Sequence, residues 1–117
     1  MIEILIARVF NTRNLAHLAH WRTKSFSEHM ALGDFYDAIV GQLEEIVECY
    51  QGSNGLIKIP ELPAALFQKD MVKYLEEELG WILENMKEMS KDDSVENLIQ
   101  TLAASYQRTI YKLKNLS

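Results

Sequence analysis

LGDFYDAIVGQLEEIVECY, residues 32–50, sets apolar side chains at Leu32, Tyr36, Ile39, Leu43, Ile46 and Tyr50. Steps of 4, 3, 4, 3 and 4 residues place all six on one stripe of an α-helix, the pattern of a helix packed on another helix. Upstream, Ser25 and Glu28 have the S-x-x-E spacing of a capping box, so the helix starts there. Downstream, Gly52 is suited to a left-handed cap and is expected to end it.

The same pattern extends in both directions. Residues 2 to 23 form a first helix, with Ile2, Ile6, Val9, Phe10 and Ala16 on one face, His20 on that face one turn further, and His17 at its border. "TKSFSE" breaks it. After the second helix, "GSNGLIKIPELP" (52–63) holds Gly, Asn and both prolines, so it is expected to be a connector; Leu56–Ile59 could pair as a short strand. A third helix follows Pro63, with Val72, Leu75, Leu79, Ile82, Met86 and Met89 inward. "SKDDSVE" caps a fourth, in which Leu98, Ile99, Leu102, Tyr106, Ile110 and Leu113 face the core. The expectation is one all-α domain, residues 1–117, built as a four-helix bundle. About a dozen connector residues reach roughly 35–40 Å, the length of a 25-residue helix. The connector is therefore expected to cross the bundle between helices two and three in the ferritin-like manner, although a loop returning to the same end fits the same length.

Composition excludes several classes. The chain has 117 residues, 48% hydrophobic and 25% charged, with a net charge of −5 and no basic tail, so binding to DNA is not expected. One cysteine, Cys49, excludes an internal disulfide and suits a reducing cytoplasm, where the protein is expected to reside. No run of about 18 apolar residues exists, and neither a transmembrane span nor a membrane partner is expected. No phosphate loop, Ser/His/Asp set or paired-cysteine motif is present.

The chemistry-bearing residues are concentrated. All three histidines, His17, His20 and His29, lie within "HLAHWRTKSFSEH" (17–29). Beside the apolar stripe of helix two, Asp37, Glu44 and Glu48 line a ridge with Gly33 and Gly41 close by. The glycines each lower helix propensity by about 1 kcal/mol, which marks a place of close approach and a contact face between subunits. Imidazole with carboxylate is a ligand set for iron, manganese or zinc. No Glu-x-x-His occurs, so a one-chain di-iron centre is not expected, and a shared site with histidines from one copy and acids from another remains.

"HW" at 20–21, a histidine at 29 opening the next helix, and acids fifteen and nineteen residues beyond it resemble the Dps mini-ferritins. "EHMALGDFYDAIVGQLEEIVECYQG" (28–52) also resembles small phage-encoded ferritin-like proteins. The Dps resemblance implies a ferroxidase-type centre across a two-fold subunit interface, with His20, His29, Glu44 and Glu48 as iron ligands and Trp21 and His17 beside them. It departs from the family at Gly33, where the pattern has aspartate, for which Asp34 or Asp37 would have to substitute, Asp37 being on the better side of the helix. The segment between the histidines is also three residues shorter. The expected function is metal binding, iron first, in a homo-oligomer formed through helix two, with catalytic turnover left open. The alternative is a non-enzymatic helical module, of phage origin, that engages a host or defence factor.

Overall fold

The computed structural model describes all 117 residues and consists of four helices: α1 (Ile2–Arg22), α2 (Phe26–Asn54), α3 (Met71–Ser90) and α4 (Asp93–Asn115). Local chemistry fixes their starts. Ser25, Asp70 and Asp92 each accept a hydrogen bond from the amide three residues on, Glu28, Lys73 and Val95, which pairs an otherwise orphaned donor at the helix start. The capping box read from Ser25 and Glu28 is therefore present in its first half.

Two boundaries differ from the sequence-based expectation. Helix α2 runs through Gly52 to Asn54, and Gly55, at φ +83°, is the cap, its N–H donated to the Gln51 carbonyl. A glycine in mid-helix is tolerated, whereas the positive φ at 55 requires one. Helix α3 begins at Met71, eight residues beyond Pro63, where Asp70 supplies the cap that Pro63 lacks. No strand forms over Leu56–Ile59. The connector thus spans residues 55–70, and the peptide N–H of Ile57 is held by the Gln51 side-chain oxygen.

Helix α1 packs on α2 and more lightly on α3, while α4 packs on α2 and α3; the pairs α1/α4 and α2/α3 lie across the diagonals. Pairings fix the directions. Arg8 meets Glu78 and Thr12 meets Tyr74, so α1 and α3 are antiparallel. Ser27 bonds the Leu116 carbonyl and Ser105 bonds Gln42, so α2 and α4 are antiparallel as well. Hence α2 and α3 run in the same direction, and the connector must traverse the bundle, as the ferritin-like expectation requires. Sixteen residues span up to about 53 Å, more than the 29-residue α2 at roughly 43 Å.

The core is a single cluster. Ile2, Leu5, Val9, Leu32, Ile39, Ile46, Leu75, Ile82, Ile99 and Leu102 are essentially without exposure, together with the ring of Tyr106, set edge-on to Phe35. Several expected core positions are only half-buried (Tyr36, Tyr50, Val72, Leu79, Leu98), and Phe35, Met71 and Val95 are buried in addition.

One position on the α3 seam is an acid. The Glu78 side chain, only 11% exposed, meets Arg8 Nη1 at 2.6 Å, and the Arg8 guanidinium also lies 4.5 Å over the Trp81 ring. Burial pushes the Glu78 carboxyl above its ordinary range, with the Arg8 charge pulling it back. A carboxyl raised in the folded state adds stability below its unfolded value and loses that contribution as pH rises through the folded value. Removing Arg8 raises it further. Arg8→Met is thus expected to destabilise the fold by roughly 2 kcal/mol at pH 7, between exposed and fully buried pairs. The loss should shrink as pH falls towards about 4, where Glu78 is protonated. Urea unfolding of both proteins at the two pH values measures this, and an equal loss at both would contradict it.

Candidate functional site

The turn between α1 and α2 brings two of the three histidines face to face. Helix α1 ends with carbonyls that have no intrahelical donor. The first, Ala19 O, takes the Thr23 amide; the next, His20 O, takes His29 Nδ1–H at 2.8 Å. In return His20 Nδ1–H donates to His29 O at 2.6 Å. A carbonyl only accepts, so both rings carry their proton on Nδ1. In the neutral imidazole Nε2 then keeps its lone pair, and neither Nε2 has a hydrogen-bond partner in the chain. The rings stack with centroids 3.7 Å apart and planes 16° from parallel. A metal bonds in the plane of its imidazole at about 2.0–2.1 Å, so rings stacked in this way do not close on one ion. Each presents its own nitrogen.

Gly33 explains the fit. A Cβ built there would stand 3.0 Å from His20 Cε1 and 3.2 Å from Nδ1. The ring crowds the space that a side chain at 33 would need, so any residue other than glycine requires the His20 ring to give by a few tenths of an ångström. Gly41 is different: a Cβ there meets nothing within 4 Å, so no contact inside the chain asks for glycine.

His17 belongs to a neighbouring stack. Its ring lies on Tyr36 at 4.0 Å and 15°, Trp21 approaches it at 4.2 Å, and Arg13 lies 5.3 Å over the Tyr36 ring. Loss of solvation, then the Arg13 and His20 charges, hold His17 below its ordinary range. Trp21 is exposed and contacts His17, so it adjoins the His20–His29 pair only indirectly.

The acids stand apart. Asp37, Glu44 and Glu48 are exposed on α2 and form no ion pair. By helix rise Glu44 and Glu48 lie roughly 22 and 29 Å from His29, and no three His, Cys, Asp or Glu side chains of the chain converge on a point that could hold a metal. Glu44 and Glu48 instead edge a shallow groove of about 380 Å³ whose floor is Ile6, Phe10, Val40 and Leu43, with Ile59 of the connector beside it.

Sequence reasoning missed two arrangements. One is the exchange of Nδ1–H bonds across the turn, which depends on a register between helices that spacing does not encode. The other is the Arg8–Glu78 pair; its signal was Glu78, three residues after Leu75 and four before Ile82.

Because His20 is held by a bond and a stack, it has little freedom to yield. Gly33→Ala, which ordinarily adds up to about 1 kcal/mol through helix propensity, is expected to destabilise this protein by a similar amount. In a His20→Ala background the same change should stabilise it. Denaturation of the four proteins completes the cycle; stabilisation in both backgrounds would show that the ring moves freely.

A family model described as a family of unknown function, DUF5856, matches residues 20–113, from the first histidine of the pair to the last turn of α4. Neither a curated protein nor a solved structure matches the chain. No helix is long and apolar enough to cross a membrane. The chain belongs to the DUF5856 family.

Proposed function

We propose that this protein binds a divalent transition metal, iron first, with zinc or manganese as alternatives, at a site completed between two copies. The observation that carries this reading is the anchoring of both imidazoles. Metal-binding histidines ordinarily donate their second ring N–H to a carbonyl or carboxylate, which fixes the tautomer and aims the other nitrogen. His20 and His29 are held in that way, and both Nε2 atoms are free. Each imidazole fits a metal singly, because the stacked rings do not close on one ion, and the carboxylate donors must come from elsewhere.

A second copy with α2 antiparallel, crossing near Asp37 and Ala38, would bring Glu44 and Glu48 opposite His29. Asp34, Asp37, Ala38, Gly41, Glu44 and Glu48 form an exposed ridge with small side chains near its middle. Two such ridges repel unless cations lie between them. Metal binding and association are therefore expected to be linked, each strengthening the other. The half-buried Cys49 accords with a reducing cytoplasm as the setting.

The test is metal stoichiometry together with mass in solution. The protein is expected to bind Fe(II) or Zn(II) near pH 7 and to gain mass from monomer to dimer as it does so. His20→Ala, His29→Ala and Glu48→Ala should each lower bound metal, and His17→Ala should not. Gly41→Leu should weaken association while leaving helicity intact, since a side chain there meets open space within the chain. A monomer that binds no metal, or a Glu48 change without effect, would overturn the reading.

The second reading, a non-enzymatic binding module, draws on the apolar groove edged by Glu44 and Glu48, which suits a basic amphipathic segment. It takes first place if metal fails to bind.

A further inference from the structure

The two ends of the bundle differ in charge and in the aromatic side chains they expose. One end gathers the end of α1, the starts of α2 and α3, the end of α4 and the last residues of the connector. Arg22 lies 4.6 Å over the Phe67 ring, Ser27 bonds the Leu116 carbonyl, and Glu28, Lys69, Asp70 and Leu113 share one cleft. The cations here are Arg22, Lys24, Lys69, Lys73, Lys112 and Lys114. The carboxylate side chains here are Glu28, Asp70 and Glu76; Asp70 is engaged in capping α3 and Glu76 pairs with Lys114 at 3.7 Å, which leaves Arg22, Lys24, Lys69, Lys73 and Lys112 in excess. Between the cations stand Trp21, Phe26, Leu66 and Phe67, exposed by 68%, 77%, 77% and 65%. At the opposite end Glu84, Glu88, Asp92, Asp93 and Glu96 outnumber Lys58, Lys87 and Lys91.

We infer that this basic, aromatic end docks on an anionic lipid surface at headgroup depth, the long axis of the bundle pointing away from it. Bulky apolar side chains set among lysines are the usual composition of an interfacial contact. The shape of this end argues against a peptide. Its cleft is lined by Glu28, Lys69, Asp70, Met71, Val72 and Leu113, and none of the four exposed apolar side chains is among them. Projecting side chains suit a soft planar partner. A duplex would leave Leu66 and Phe26 without a counterpart, and the face of Phe67 is already covered by Arg22. The net charge of −5 does not oppose docking. The molecule is 44 Å long, several times the Debye length of about 10 Å at 0.1 M salt, so the acidic end is screened from a surface that the basic end touches. The absence of a membrane-spanning helix concerns only crossing, and nothing in this contact crosses.

The experiment uses the full chain with vesicles of phosphatidylcholine alone and of equal parts phosphatidylcholine and phosphatidylglycerol. Co-sedimentation is expected with the anionic vesicles only and should be lost on raising salt to about 0.5 M. In a Trp81→Phe background, Trp21 emission should shift to the blue on binding. Lys24→Gln and Lys69→Gln should each weaken partitioning about fivefold, and Lys58→Gln, on the connector near the other end, should leave it unchanged. Phe26→Ser combined with Phe67→Ser should abolish binding with helicity retained. Equal binding to both vesicle types, no binding at low salt, or undiminished binding of the serine variant would overturn the inference. So would retention of duplex DNA by that serine variant, which would assign the end to polyanions in general.

Discussion

A helical hairpin with a three-residue turn must find partners for the carbonyls that its first helix leaves open. Here the solution is an exchange between His20 and His29, each imidazole donating Nδ1–H to the other residue's carbonyl across the turn. The exchange settles three things together. It fixes the register of α1 against α2, it stacks the two rings at 3.7 Å, and it presses His20 onto the backbone of Gly33. A hydrogen bond to a helix-end carbonyl contributes only about 1 kcal/mol net, but leaving that carbonyl buried and unpaired would cost more. The pair therefore works as a register lock, and its two free Nε2 atoms are a consequence of the same geometry.

From that hairpin the remainder of the architecture follows. With α1 and α2 antiparallel, α3 can join the bundle beside α1 only by starting where α2 starts, and the connector is drawn across the molecule to reach that point. Its length makes this possible; Arg22 on Phe67 and the Gln51 side chain on the Ile57 amide hold its two ends. The connector also carries Leu66 and Phe67 to the end already rich in lysine. The acids of α2 remain along a ridge of their own, remote from the histidines within one chain. If metal binds as proposed, a second copy must bring the histidines and the acids together.

The bundle was legible in the sequence because its signal is periodic. Leu32 to Tyr50 define a helix stripe whatever surrounds them, and the Ser25, Gly and Pro punctuation divides the chain into four helices. Length allowed the crossover without requiring it, and the pairings of α1 with α3 and of α2 with α4 decide it. What escaped were properties that periodicity does not carry. Gly52 and Gly55 are both plausible caps by composition, and only the positive φ at 55 distinguishes them. Pro63 suggested a helix start, but Asp70 was the residue able to cap one. At the candidate site the sequence shows three clustered histidines, and the structure pairs two of them, His20 and His29, across the turn. That each would be tied to the other's backbone, and that Gly33 is glycine because an imidazole lies on it, required three dimensions.

The claim on which the account rests is the bonding state of that pair. Long-range proton–nitrogen correlation NMR of uniformly labelled protein at neutral pH reads the tautomer of each histidine ring directly. His20 and His29 are both expected to carry a proton on Nδ1, slow to exchange, with an unprotonated Nε2. An Nε2–H tautomer, or rapid averaging between tautomers at either residue, would contradict it.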